Sequence, residues 1–481
     1  MRGKSDIPAA LITGNLPQVP PRNVLFTQLC GFLCRFMSKG AGWRTNNLRY
    51  AQQNNSAKGK MTMKAMINKG AKACALLGLC LSAIPAFATN GYFANGYGGQ
   101  SKSMAGAGVA VSTGVLGMAQ NPATGVKVGN AAGFCLTTFA PDRSVRVAPG
   151  GPLTPGTHKS ENDVFFIPCG GANWTLDDRS SLGVFVFANG GMNTEYKTNF
   201  FSGLGAGSAP LGVNLEQAFV TVNYARKVSD RLTFGVSPIL AVQRFKATGL
   251  EAFSGLSLSP GNVTNRGHDW STGLGFNLGL LYEASPQWTF GAAYRSRIQM
   301  SSFDKYSGLF AGGGDFDVPA MLTLGAAYTP AYQPKLTITG EFQRIHYGDV
   351  NAIANTSAPP GGPLGASNGV GFGWKDVDVV RLAAIYRQSE RLTLRSGISY
   401  STKFTTSPEA VINTLAPATP QWHASFGGSY KINDRWGFTF AYTHAFSNSI
   451  TGSNPALTGV AQPVRLRMHQ HEIATGLSYS W

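Results

Sequence analysis

The 481-residue chain is poor in charge. Asp, Glu, Lys and Arg together make up 13%, about half the usual share. Low charge beside 43% hydrophobic residues excludes a disordered chain, which needs the opposite balance. Long apolar runs are also missing. Beyond residue 90 no stretch approaches the ~20 predominantly apolar residues that a spanning helix needs, so a helical membrane protein is excluded too. Cysteine is scarce: of six, Cys30, Cys34, Cys74 and Cys80 precede residue 89, and only Cys135 and Cys169 follow it. No phosphate-binding loop and no zinc cluster can be found, so neither a cofactor nor a catalysed reaction is expected. Gly365-Ala366-Ser367-Asn368-Gly369 matches G-x-S-x-G, but it sits in a Pro/Gly/Ser loop without the strand-to-helix context that the chemistry requires. His469 and His471 with Glu472 suggest no metal, because the two histidines share a lipid-side parity.

The net charge of +17 would point to nucleic acid if it were spread over the chain. It is not. Residues 1–88 hold twelve Lys and Arg and the single acid Asp6, which leaves 28 basic and 22 acidic residues for the rest. No nucleic-acid partner is expected. Met61, Met63 or Met66 can open an export signal. Lys64, Lys69 and Lys72 supply its basic start, Ala73–Leu81 its apolar centre, and Ala86-Phe87-Ala88 its small-residue cleavage site. Residues 61–88 therefore read as a signal peptide, with a mature start at Thr89. Cys80 is a poor lipoprotein site, because the preceding Leu79 is not small. Residues 1–60 read as a non-native, disordered upstream extension. In an oxidising compartment Cys135 and Cys169 can pair; they flank a turn-rich loop and could face each other across a hairpin, and the alternative is two unpaired thiols.

What the chain has in abundance is Gly (60), Phe (29), Tyr (16) and Trp (8), arranged with period two. Ile473, Thr475, Leu477, Tyr479 and Trp481 alternate with Glu472, Ala474, Gly476, Ser478 and Ser480. Trp436, Phe438, Phe440 and Tyr442 alternate with Gly437, Thr439, Ala441 and Thr443. Leu274, Phe276, Leu278, Leu280 and Tyr282 repeat the pattern. This is the strand period. The face opposite the apolar one carries Gly, Ser, Thr, Ala and Asn instead of Lys and Glu. That split suits a transmembrane barrel, apolar toward lipid and polar toward the lumen. Short turns near Asp177-Asp178, Ser229-Asp230, Ser285-Pro286, Pro330–Pro334, Ser389-Glu390 and Asn433-Asp434 separate seven longer loops, at about 141–160, 190–213, 249–268, 301–317, 347–375, 404–419 and 448–467. Seven hairpins make 14 antiparallel strands over 129–481, and the sheet must close because no strand edge is tolerated in lipid. The expected class is an all-β, 14-stranded transmembrane barrel of the Gram-negative outer membrane. It would be inserted by the barrel-assembly machinery, in contact with outer-membrane lipid, as a monomer. Residues 89–128 are Gly/Ala-rich, have no spanning alternation, and are expected to fold into the lumen as a hatch.

Asn121-Pro122-Ala123 ahead of the first strand, Asn189-Gly190-Gly191-Met192-Asn193-Thr194-Glu195-Tyr196 at the close of the third, and the C-terminal aromatic at Trp481 resemble the outer-membrane long-chain fatty acid and toluene transport family. The resemblance spans nearly all of 89–481. It implies passive uptake of a hydrophobic small molecule, which enters the lumen and leaves sideways through a wall opening at a kink in the third strand. By position, Asn189, Gly190 and Gly191 form the kink, and Asn121, Pro122 and Ala123 form the hatch gate that faces it. Gly weakens a strand and marks bulges. Phe185 and Phe187 alternate with Val184 and Val186, so the two rings are expected to line a hydrophobic pocket beside the kink. Arg295, Arg381 and Arg395 face inward and are candidates for contact with a ligand head group. The loops at 249–268 and 301–317 are short where the family carries partly helical segments, which argues against an outer capture groove. A water-filled porin and a surface structural or adhesion barrel are the rival readings.

Overall fold

The computed structural model describes residues 90–357 and 361–481. The expected upstream extension, signal peptide and mature start at Thr89 lie outside the described residues. Sixteen strands form one antiparallel sheet. Two of them, β2 (Gly156–Lys159) and β9 (Gln299–Met300), are short loop additions. The other fourteen make the wall: β1 (Ala131–Val147), β3 (Phe165–Asp177), β4 (Ser180–Tyr196), β5 (Leu211–Lys227), β6 (Leu232–Thr248), β7 (Asp269–Glu283), β8 (Trp288–Arg295), β10 (Met321–Tyr328), β11 (Leu336–Ile345), β12 (Val377–Arg387), β13 (Leu392–Ser401), β14 (Trp422–Lys431), β15 (Trp436–Gly452) and β16 (Val464–Ser480). Each pairs with its neighbours in sequence. β16 returns to β1 from Ala131↔Ser480 to Val147↔Val464, which closes the barrel. Closure removes the edges that hydrocarbon cannot solvate.

The wall is inside out relative to a soluble protein. Phe134, Leu274, Phe276, Phe290, Phe426, Phe438, Ile473 and Leu477 are exposed on the outer face. Asn277, Thr339, Glu341, Gln343, Arg381, Ser399, His423 and Glu472 are buried on the inner one. Among the described residues no helix is long and apolar enough to cross a membrane; the strands do the crossing. The six short turns fall where the alternation places them. Three of the long loops are narrower than the sequence suggests, because β1 runs on to Val147, β4 to Tyr196 and β15 to Gly452. Polar and Gly-rich stretches such as Ala188–Tyr196 look like loop by composition, yet they stay in the ladder because they face other protein rather than lipid.

Residues 90–128 occupy the lumen as short turns and helices, α-helical at Gly98–Lys102 and 3₁₀ at Val115–Ala119 and Pro122–Lys127. The segment is almost wholly buried. Ion pairs and backbone contacts fasten it. Lys102 meets Glu472 of β16, with both side chains buried. Glu341 of β11 accepts from the N–H groups of Gly108 and Val109, each at 2.9 Å, and from Arg381 at 2.8 Å. A buried carboxylate needs such partners to repay its lost hydration.

Cys135 and Cys169 stand directly opposite in the β1–β3 register, with Cα atoms 5.0 Å apart, and form a disulfide. Peptide mapping without reductant should recover the Cys135 and Cys169 peptides linked. Replacing both by Ser should lower barrel stability by about 2–4 kcal/mol, read as a lower temperature for loss of the heat-modifiable gel form.

Candidate functional site

The wall ladder is broken between β3 and β4. Pairing runs from the turn only as far as Gly170↔Val186. Above it, β3 from Phe165 to Cys169 pairs with β1 alone, and β4 from Phe187 to Tyr196 pairs with β5 alone. The two sides meet again near the rim, where Glu161 N–H donates to Glu195 O at 2.8 Å and Asn162 Nδ2 to Asn193 Oδ1 at 2.7 Å. Arg143, buried on β1, donates to the carbonyls of Asn193 and Asn162. The result is a bounded window in the wall, with the disulfide at its lower corner.

Within the window β4 carries a bulge. The β4–β5 register shifts between Ala188 and Gly190, leaving Asn189 as the extra residue. Its backbone is completed from the lumen. Asn189 O accepts from Ala94 N–H at 2.9 Å, and Gly191 N–H donates to Tyr92 O at 2.9 Å, so that Phe93 and Gly190 form an isolated antiparallel bridge. Only Gly permits this approach, since a Cβ at Gly190 would lie 1.7 Å from Tyr92 O. The side chain of Asn189 is a hub. It accepts from Tyr97 OH at 3.0 Å and Arg295 Nη1 at 2.8 Å, and donates to Gln217 Oε1 at 2.9 Å.

Aromatic rings line the lumen side. Phe187 lies 4.5 Å from Tyr97, 5.5 Å from Phe219 and 5.8 Å from Phe185, centroid to centroid. Both phenylalanines face inward, and both are buried. Arg295, fully buried at the end of β8, lies over Phe93 at 4.8 Å and Phe219 at 5.3 Å. Its Nε and Nη2 have no hydrogen-bond partner. The rings attract the cation without supplying acceptors. Above the window, Tyr347 OH donates to Asn90 O at 2.6 Å and accepts from Tyr92 N–H at 3.1 Å, and Trp374 packs on Tyr347 at 5.3 Å. Burial pushes the phenols of Tyr92 and Tyr347 up from their ordinary value, so both stay neutral over any physiological pH.

The remaining sequence candidates lie elsewhere. Asn121-Pro122-Ala123 does not face the kink. Asn121 caps the Pro122–Lys127 turn by accepting from Ala123 N–H at 3.0 Å, and donates to Leu280 O of β7 at 2.9 Å. Pro122 O accepts from Asn223 of β5. The triplet seats the segment on β5–β7, where a Cβ on Gly279 would fall 2.1 Å from Asn121 Oδ1. Arg381 is committed to Glu341 and to Gln343, at 2.8 and 2.9 Å. Arg395 reaches Ser429 and Gln100, at 2.8 and 3.2 Å. Glu472 turns inward to Lys102, away from the outward His469 and His471. Among the described residues no group of three or more His, Cys, Asp or Glu could hold a metal ion. Sequence reasoning missed Tyr92, Phe93 and Ala94; their only signal is an aromatic pair set between glycines in Gly91–Gly96. It also missed Arg143, which falls in the loop expected at about 141–160, and Gln217, which looks like an ordinary strand residue.

Asn189→Ala should cost about 1–3 kcal/mol of local stability, because it strips Arg295 and Tyr97 of a buried acceptor. Proteolysis within 90–97 should quicken while the barrel keeps its heat-modifiable migration.

Solved relatives share the architecture. The crystal structure of the P. putida toluene transporter TodX superposes with a TM-score of 0.60 at 20% identity, covering 80% of this chain and 99% of that one. A Pseudomonas aeruginosa FadL homologue does so with a TM-score of 0.60 at 15% identity, covering 81% and 99%. In sequence, a long-chain fatty acid transport protein of Salmonella typhi is 23% identical over 291 residues, 54% of this chain and 64% of the relative. Its counterpart in Escherichia coli O6:H1 is 24% identical over 263 residues, 47% and 57% of the two chains. The chain thus spans somewhat less than two thirds of the curated relatives it matches. The family model described as outer membrane protein transport protein (OMPP1/FadL/TodX) matches residues 81–481, and the chain belongs to that family of outer-membrane β-barrels.

Proposed function

We propose that the protein takes up hydrophobic small molecules passively, and that the β3–β4 window is their lateral exit into the membrane. One observation carries this reading. The wall is interrupted at a bulge whose open backbone groups are completed by a movable-sized strip of the lumenal segment, Tyr92–Ala94, rather than by a neighbouring strand. Unpaired backbone in hydrocarbon costs several kcal/mol per group, so an interruption kept closed by a separable element is suited to opening. The aromatic lining at Phe185, Phe187, Phe219 and Tyr97 suits an apolar solute. Relatives that transport long-chain fatty acids on one side and toluene on the other bracket the ligand class. In this reading the gate is Tyr92–Ala94 against Asn189–Gly191. Asn121, Pro122 and Ala123 act as the anchor about which that strip is held.

A water-filled porin accounts less well for a lumen filled by residues 90–128 and capped by Tyr347 and Trp374. Deleting Asn189, the unpaired extra residue, makes the β4–β5 register regular. Uptake of radiolabelled oleate and of toluene by cells carrying this variant should fall to near background, while heat-modifiable migration persists. Undiminished uptake of both would overturn the lateral exit. Large ion conductance of the unaltered protein in planar bilayers would favour the porin.

A further inference from the structure

Cations on the outer wall near the long-loop end are mostly matched by acids. Arg244 pairs with Glu216 at 2.5 Å, Arg297 with Asp317 at 2.8 Å and Arg344 with Asp378 at 2.7 Å. The sector at β15, β16, β1 and β2 is different. Arg146 of β1 stands directly opposite Arg465 of β16, and Ser144 opposite Arg467. On the other flank of β1, Lys159 of β2 is opposite Ser144. These residues share the outward parity, and Arg146, Lys159, Arg465 and Arg467 are exposed. Asp142 is the one acid on the outward face of these four strands, and it lies 3.9 Å from Lys159 Nζ. None of the three arginines makes an ion pair among the described residues. Arg467 Nε donates to Ser447 Oγ at 2.9 Å, and Arg465 Nη2 to Ser449 Oγ at 3.2 Å.

Like charges set directly opposite in an antiparallel pair destabilise it. Such a pair persists at least cost where an anion is shared between the strands. Height in the membrane says which anion. Arg467 and Arg465 are 14 and 16 residues from Trp481. At ~3.4 Å rise and ~40° tilt that is roughly 36–42 Å up the barrel. The apolar band is only ~25 Å tall, and the bilayer with its headgroups ~40–45 Å. The arginines therefore sit at headgroup level in the leaflet on the long-loop side. Below them the same outer face is apolar, with Phe446, Phe134, Leu136 and Ile473 exposed.

We propose that this face of β15–β16–β1–β2 binds the phosphate-bearing headgroup of an anionic lipid in the outer leaflet. The guanidinium groups of Arg146, Arg465 and Arg467 suit phosphate oxygens bidentately. Ser447, Ser449 and Thr451 line the neighbouring strand as hydroxyl donors, and the phenylalanines beneath receive the acyl chains. The site lies on the outer surface and does not depend on the uptake route.

The test uses the folded, purified protein in zwitterionic detergent, titrated with bisphosphorylated lipid A and followed by native mass spectrometry. The protein should retain lipid A, and its dephosphorylated form should not compete. Joint replacement Arg146→Ala, Arg465→Ala and Arg467→Ala should weaken binding on the order of a hundredfold, at about fivefold per arginine. Arg344→Ala, which removes an already paired cation, should leave it unchanged. If the triple variant fails to fold, Arg146→Glu serves instead; it places opposite charges across the β1–β16 pair, preserves folding and should still lose lipid A. Equal binding by the folded variants, or by the dephosphorylated lipid, would overturn the proposal. Competition by inorganic phosphate at the same concentration as lipid A would overturn it as well, since a free anion would then suffice.

Discussion

Every backbone N–H and C=O in hydrocarbon must find a partner inside the protein, and the rest of this structure follows from that requirement. It forces the sheet to close through β16 and β1. It also makes the interruption of the β3–β4 ladder informative. Between β3 and β4 the pairing lapses above Gly170 and Val186, and the groups left over are met by Tyr92 and Ala94 from within and by Arg143 from the rim. A lapse bridged from the lumen and from the rim is part of the design of the wall.

The lumenal segment and the barrel are fitted to each other through two kinds of contact. Charged contacts, Lys102 with Glu472 and Glu341 with Arg381 and two backbone amides, hold its middle at β11, β12 and β16. Close steric contacts, Asn121 over Gly279 and Tyr92 over Gly190, set its two ends. The grip at the window is of another kind. There the contacts are two backbone hydrogen bonds and a set of aromatic edges. None of these is an ion pair. Arg295 is a buried cation there, and its hydrogen-bond capacity is only partly used.

Much of the barrel was legible in the chain. Ile473 to Trp481 and Leu274 to Tyr282 show the lipid-facing parity directly, because a strand with one face in hydrocarbon cannot mix its two faces. The six tight turns were legible for the same reason. The third-strand kink at Asn189–Gly191 followed from the family resemblance, with its glycines as local support. Its partner did not. Asn121-Pro122-Ala123 is the conspicuous local motif of the lumenal segment, yet a capped turn only says that the chain reverses, and where that turn docks depends on which glycines of β6 and β7 leave room for it. Tyr92–Ala94 carries no motif, since a backbone bridge uses no particular side chain. Arg381 and Arg395 were correctly inward, but parity cannot say that Glu341 and Gln100 already occupy them.

The amino-acid sequence by itself determined the class of solvent on each face, the number of strands and the even return of the chain, because these depend on period, turn chemistry and composition that are local along the chain. Only the tertiary structure decided that the window is sealed by Tyr92–Ala94, that Asn189 gathers Tyr97, Arg295 and Gln217, and that Arg146 meets Arg465 without an acid between them. Those are relations across strands far apart in sequence. They depend on the shear of the closed sheet and the path of the segment inside it, which no single stretch of residues encodes.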